Sequence, residues 1–192
     1  MTFDRKADRT GRTINKPARS KVSEALGFPK GVGYCIPIPQ HLIDSPAFRN
    51  LSLRARRVLD GVVSEWCAHD GHRNGDLIVP YDDLQGRGIR RDAILPAILE
   101  LQALGLIAVQ RGGKSFGSRR NPSTYRLTWL GTPDPLMATH EWKAIKTDDD
   151  ALQRIDGARQ RVLQERKARS KRSAERKAIA SRDTMPQVEV AG

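Results

Sequence analysis

Four cations, Arg111, Lys114, Arg119 and Arg120, fall in a short stretch that also holds Gly112, Gly113, Ser115, Gly117 and Ser118 and ends at Asn121. No carboxylate interrupts it. Small residues let a backbone and its guanidinium groups come close to a phosphate or enter a narrow minor groove, so the chemistry on offer is anion recognition. A plain solvated loop is the alternative, and it seldom gathers charges of one sign. A second group, Arg87, Arg90 and Arg91, surrounds the Gly86 and Gly88 punctuation, where a helix mouth can present donors to a base edge. Arg54, Arg56 and Arg57 form a third group, but Asp60 lies one turn from Arg56 and Arg57 and can pair with either. Further along, Arg166, Lys167, Arg169, Lys171 and Arg172 suit an arm lying along phosphates, or a solvated tail.

Other chemistries find less material. Cys67, His69 and His72 are close in sequence but lack the fourth ligand that a closed zinc site needs. Asp148, Asp149 and Asp150 are consecutive, so on a helix they point in three directions and cannot converge on one ion. They fit better as carboxylates favouring a helix amino terminus. His41 and His140 have no visible catalytic partner. Neither a phosphate-binding Gly-Lys-Ser/Thr loop, nor a Gly-x-Ser-x-Gly elbow, nor a His-Glu-x-x-His motif occurs. The expectation is a protein that is not an enzyme and holds neither metal nor cofactor. Cys35 and Cys67 are too few for a disulfide framework and read as small apolar fillers.

Charge divides the chain. Of 192 residues, 34 are Lys or Arg and 22 Asp or Glu, a formal net charge of +12. Residues 1–34 contribute 8 − 3 = +5 with little apolar periodicity, and read as a disordered basic arm. Residues 35–134 contribute 13 − 10 = +3 and hold most of the aromatic and branched aliphatic residues. Residues 135–192 contribute 13 − 9 = +4, with acids leading and cations crowding between Arg159 and Arg182. That order complements a helix dipole over residues 148–182, after a linker with a short helix at 132–147 and before a disordered tail at 183–192. No apolar stretch approaches the roughly 20 residues of a membrane span, and no secretory signal is visible; a cytoplasmic location is expected.

Leu51, Ala55, Val58, Leu59, Val62, Val63 and Trp66 recur at spacings of three and four, which predicts an amphipathic helix capped by Asn50 or Ser52 and ending before the 69–71 turn. Leu77-Ile78-Val79 predicts a short strand, and Tyr81 to Gln85 one or two helical turns. A second clear helix carries Ile94, Ala97, Ile98, Leu101 and Leu104 and stops at Gly105, suited to a left-handed C-cap. Residues 106–110 and 124–130 alternate apolar and polar and predict a hairpin with a long basic tip.

The segment GIRRDAILPAILELQALGLIAVQR resembles a winged helix-turn-helix domain, above all in Leu101-Gln102-Ala103-Leu104-Gly105-Leu106-Ile107. Ile36-Pro37-Ile38-Pro39, Leu42 and the helix opening Leu51-Ser52-Leu53-Arg54-Ala55 are similar to winged-helix proteins of phage and plasmid replication initiation. The resemblance spans residues 35–131 and implies an α+β fold in which residues 86–104 enter the major groove of double-stranded DNA and the hairpin grips the backbone. It implies a role in transcriptional regulation or in replication or mobilisation of a phage, plasmid or integrated element. Leu95 and Pro96 depart from the pattern, standing, if Arg90 is the cap, where polar residues often face DNA; either the helix begins later with Asp92 as N-cap, the preferred reading, which would bring Pro96 near the tolerant first turn, or it is bent at Pro96. The apolar Leu95-Pro96 surface keeps a protein-interaction module, docking a replication or regulatory partner, as an alternative; RNA binding by the basic tail is another. Residues 35–131 are expected to fold alone, with residues after 147 adding only nonspecific affinity. The competing expectation is a homodimer seam through Leu152, Ile155, Val162 and Leu163.

Overall fold

The computed structural model describes residues 38–69, 71–113, 121–132 and 137–183; the amino-terminal arm 1–34, with Cys35, and the tail 184–192 lie outside them. The described part mixes helices with one small antiparallel sheet. Two single-turn helices come first, α1 (Gln40–Ile43) and α2 (Pro46–Arg49). Ser45 caps α2 by accepting from the Phe48 amide, and Pro46 takes the first helical position, where a missing N–H is harmless. The long helix α3 (Leu53–Ala68) is capped by Ser52, whose hydroxyl accepts from the Ala55 amide at 3.2 Å. Asn50, the other candidate cap, instead donates to the Pro46 carbonyl and to Asp148. Ala55, Val58, Leu59 and Val62 form the buried stripe of α3.

The expected strand at Leu77-Ile78-Val79 reduces to one bridge between Leu77 and Tyr125. Pro80 follows directly and opens α4 (Tyr81–Gly86), so the run has no length in which to extend pairing. Gly88 turns the chain at φ +79°, and α5 (Arg91–Ala103) buries Ile94, Ala97, Ile98 and Leu101. The strands β1 (Ile107–Gln110) and β2 (Thr124–Leu127) pair antiparallel, Ile107 opposite Leu127 and Gln110 opposite Thr124. Asn74 ties this sheet to the preceding loop from a buried position. Its amide donates to the carbonyls of Leu127, Leu130 and Gly131 at 2.9 to 3.0 Å, and its oxygen accepts from the Leu127 amide at 2.7 Å.

The apolar core does not stop at residue 131. Trp142, in a 3-10 turn over Glu141–Ala144, and Ile145 belong to it, as do Ala151 and Ile155 of the last helix, α6 (Asp148–Asp183). Gly105 makes room for this addition. It takes φ +66°, and a Cβ there would stand 2.7 Å from the Glu141 carbonyl carbon and the Trp142 nitrogen. Both its conformation and its lack of a side chain are used. Residues 35–131 therefore do not contain the whole core. Thr147 caps α6 by accepting from the Asp150 amide at 3.1 Å, and Asp148, Asp149 and Asp150 stand in its first turn, where carboxylates favour a helix amino terminus as expected. Asp148 also accepts hydrogen bonds from Asn50 and Arg49, which hold its carboxyl below the usual carboxylate range.

Along α6, Ala151, Ile155, Ala158 and Val162 are buried while Leu152 and Leu163 stay about half exposed. Spacings of four, three and four put the buried set on one face, which packs across α5 and α2. Ile155 and Val162 cannot serve a dimer seam, because the chain's own core already takes them. Burying two such side chains contributes roughly 1.5 to 3 kcal/mol each.

Candidate nucleic-acid interface

α5 begins at Arg91, with Arg90 as the extended N-cap residue at φ −61° and ψ 140°. This overturns Asp92 as the cap. The Asp92 carboxylate is drawn to the Arg90 guanidinium, whose Nε and Nη2 donate to it at 3.2 and 3.1 Å. Pro96 consequently sits at the sixth helical position, past the turn that tolerates it, and leaves the Asp92 carbonyl without its helical donor. Arg166 of α6 supplies one, its Nη2 donating to that oxygen at 2.7 Å. An arginine assigned from sequence to nucleic acid thus bonds a main-chain group of α5.

The other cations divide by what they touch. Arg91 donates to Asp82 and Gln85, both at 2.9 Å, and lies 5.8 Å from the centre of the Tyr81 ring. It crosses from α5 to α4 and braces the turn between them. Arg56 pairs with Asp60 at 3.5 Å and covers the Phe48 ring at 4.2 Å. Arg57 donates to the Gly88 carbonyl at 3.1 Å, tying α3 to that turn. Arg54 and Arg87 are exposed and make no side-chain hydrogen bond or ion pair among the described residues. On α6, Lys167, Lys171 and Arg172 are exposed, whereas the Arg169 side chain lies outside the described set.

Beyond the paired strands the hairpin arms stay together. The Gly112 amide donates to the Ser123 hydroxyl, and the Asn121 amide to the Gly113 carbonyl, both at 3.2 Å. A Cβ on Gly112 would collide with the Asn121 carbonyl and the Pro122 backbone, so the glycine permits this approach. Arg111 and Asn121 are exposed at either side of the closure. Lys114, Arg119 and Arg120 lie outside the described residues.

Between α4, α5 and the hairpin is a cavity of about 570 Å³, lined by Leu95, Ile98, Val109, Tyr81, Tyr125 and Arg111 among others. Burial raises the Tyr125 hydroxyl to a pKa of about 12, with Tyr81 adding to the shift. Burial also raises Tyr81, against the opposing pull of Arg111 and Arg91. Leu95 opens into this cavity, while Pro96 faces a different cleft beside α6. The continuous Leu95-Pro96 surface expected for a protein partner is therefore split between two sides of α5.

No family model, curated protein or solved structure matches the chain. Among the described residues, no three His, Cys, Asp or Glu side chains gather as a metal site. His69 has a different use: its Nε2 lies 3.1 Å from Glu65, both buried. Nor is any described helix long and apolar enough to cross a membrane.

Two site features escape a reading of spacing. Glu100, buried on α5, accepts from the Ser52 amide at 2.7 Å and its hydroxyl at 3.0 Å, joining α5 to the start of α3. The Arg166 bond to Asp92 is the other. A proline deep in a helix announces an orphaned carbonyl four residues back, but not which distant side chain satisfies it.

Proposed function

We propose that this chain is a DNA-binding protein of the winged-helix type, acting in transcriptional regulation or in replication or mobilisation of a phage, plasmid or integrated element. The observation that carries the reading is the order α3, bridge residue, α4, turn, α5, hairpin, with Leu77 pairing onto Tyr125 as a rudimentary third strand. The hairpin, whose arms are held together up to Gly113 and Asn121, shares a cavity with Tyr81 of α4 and with Leu95, Ile98 and Gln102 of α5. In this reading the cations of the hairpin contact phosphates and Asn121 adds a neutral donor. Arg87 is the donor free to approach the duplex from the turn, while Arg91 and Arg90 reach it only by leaving Asp82 and Asp92. The α5 surface beyond its first turn is buried or half-buried, so base reading concentrates at its mouth and in the hairpin. No catalytic step or cofactor enters this function.

Selection by the full chain from a pool of genomic duplex fragments tests the proposal. Enrichment of a short shared sequence is the expected result. Recovery of fragments without bias, or stronger capture of single-stranded RNA offered alongside, would contradict it.

A further inference from the structure

A cleft of about 630 Å³ opens between the first turn of α3, the turn before α5 and the middle of α6. Arginines from all three places line it: Arg54 and Arg57, Arg90, and Arg159 with Arg166. We propose that α6 thereby completes a second DNA contact, a cleft that holds a phosphodiester segment of the duplex backbone. The inference rests on the DNA-binding reading above and adds to it a site and a role for α6.

The charge of the cleft is not neutralised from within. Its two carboxylates, Asp92 and Glu100, are engaged by Arg90 and by Ser52. Asp156 takes Arg159 at 3.0 Å from the exposed side, so five guanidinium groups meet three carboxylates, 5 − 3 = +2. Arg57 and Arg166 spend hydrogen bonds on the neutral carbonyls of Gly88 and Asp92, which orient the guanidinium groups and leave their charge uncompensated. Arg54 makes no polar side-chain contact among the described residues.

Position argues for a DNA strand as the occupant. The cleft borders Gly88, Ile89 and Arg90, the turn and helix mouth that the proposed function sets against the duplex. A DNA strand offers one charge per about 3.4 Å of rise, so an open cleft of this size faces consecutive phosphates rather than one ion. Arg159 and Arg166 lie seven residues apart, two turns of α6 on one face. Arg154 and Arg161 do not line the cleft and are also exposed. The Arg166 bond to Asp92 seats this part of α6, so the Pro96 interruption helps bring Arg159 to the cleft.

The test compares R54A/R159A with R154A/R161A in the full chain, titrating a labelled duplex across a salt series, with R54Q/R159Q as a repeat that keeps more side-chain length. Thermal melts should match wild type, because both replaced cleft side chains are exposed. Expected for the cleft variants is an affinity loss on the order of tenfold and a salt slope shallower by about 1.8, two phosphate contacts, with R154A/R161A much closer to wild type. Equal losses in both pairs would overturn the cleft in favour of general charge. Unchanged binding by the cleft variants, while neutralising Arg111, Lys114, Arg119 and Arg120 weakens it, would overturn the cleft and leave the DNA reading standing. A wild-type chain that bound no duplex would overturn both.

Discussion

Pro96 and Arg166 together absorb an apparent defect in α5. Proline in a helix interior removes a hydrogen bond and crowds the preceding turn, at a cost of about 3 kcal/mol in exposed helices. Here the released Asp92 carbonyl takes a guanidinium from another helix at 2.7 Å. Pro96→Ala restores an amide donor, so it should raise stability and make Arg166 less necessary. Arg166→Ala alone should destabilise by about 1 kcal/mol, as for one hydrogen bond to a charged donor in a solvated place. In the Pro96→Ala background its effect should shrink, and chemical denaturation of the two single variants and the double measures that coupling. Additive effects would mean that the two residues act separately. Because burial raises Tyr81 and carries Tyr125 to about 12, two of the chain's three tyrosines should ionise above the ordinary value of about 10. The stabilising preference for the neutral Tyr125 hydroxyl is fully present below pH 10 and is lost as pH rises through about 12. Absorbance of phenolate against pH, with Tyr125→Phe as the reference, checks it; a Tyr125 that titrated normally would place its ring in solvent.

At the scale of elements, the helices α3 and α5 follow from periodicity, and Gly105 from its place after the last apolar position. Their legibility has a physical basis: each buries a continuous stripe set by local geometry. The role of α6 was not legible in the same way. Its apolar residues, Ala151, Ile155, Ala158 and Val162, are small or widely spaced among charges, and only the packing partner distinguishes a docked face from a seam or a soluble arm. Glu100 and Asn74 were hidden for a related reason, since polar side chains that satisfy distant backbone leave no periodic trace. Truncation after Thr147 is accordingly expected to remove roughly 3 to 6 kcal/mol from the burial of Ile155 and Val162 alone, a large share of ordinary domain stability. Circular dichroism melts of the truncated and full chains measure it. A truncated chain with an unchanged melting temperature would restore α6 to the status of an appended arm. Gly105→Ala should act in the same direction, by about 2 kcal/mol or more, since the left-handed backbone alone opposes a Cβ and the Glu141 backbone must also move aside.

Over the whole molecule, cations assigned from sequence to one interface serve two purposes. Arg56, Arg57, Arg91 and Arg166 hold elements together through carboxylates, rings or carbonyls, and Arg54, Arg87 and Arg111 keep no polar side-chain partner among the described residues. Composition could show an excess of positive charge but not which charges the fold had already used. We propose that this remaining charge binds double-stranded DNA, with the hairpin as the main phosphate contact. The most direct test is the affinity of the full chain for a duplex at several salt concentrations, before and after Arg111, Lys114, Arg119 and Arg120 are replaced together by Ala. Expected are tight duplex binding by the wild type and a slope of log affinity against log salt that flattens by about 3.6 in the variant, four phosphate contacts at roughly 0.9 each. Identical affinity and slope for the two proteins would contradict it.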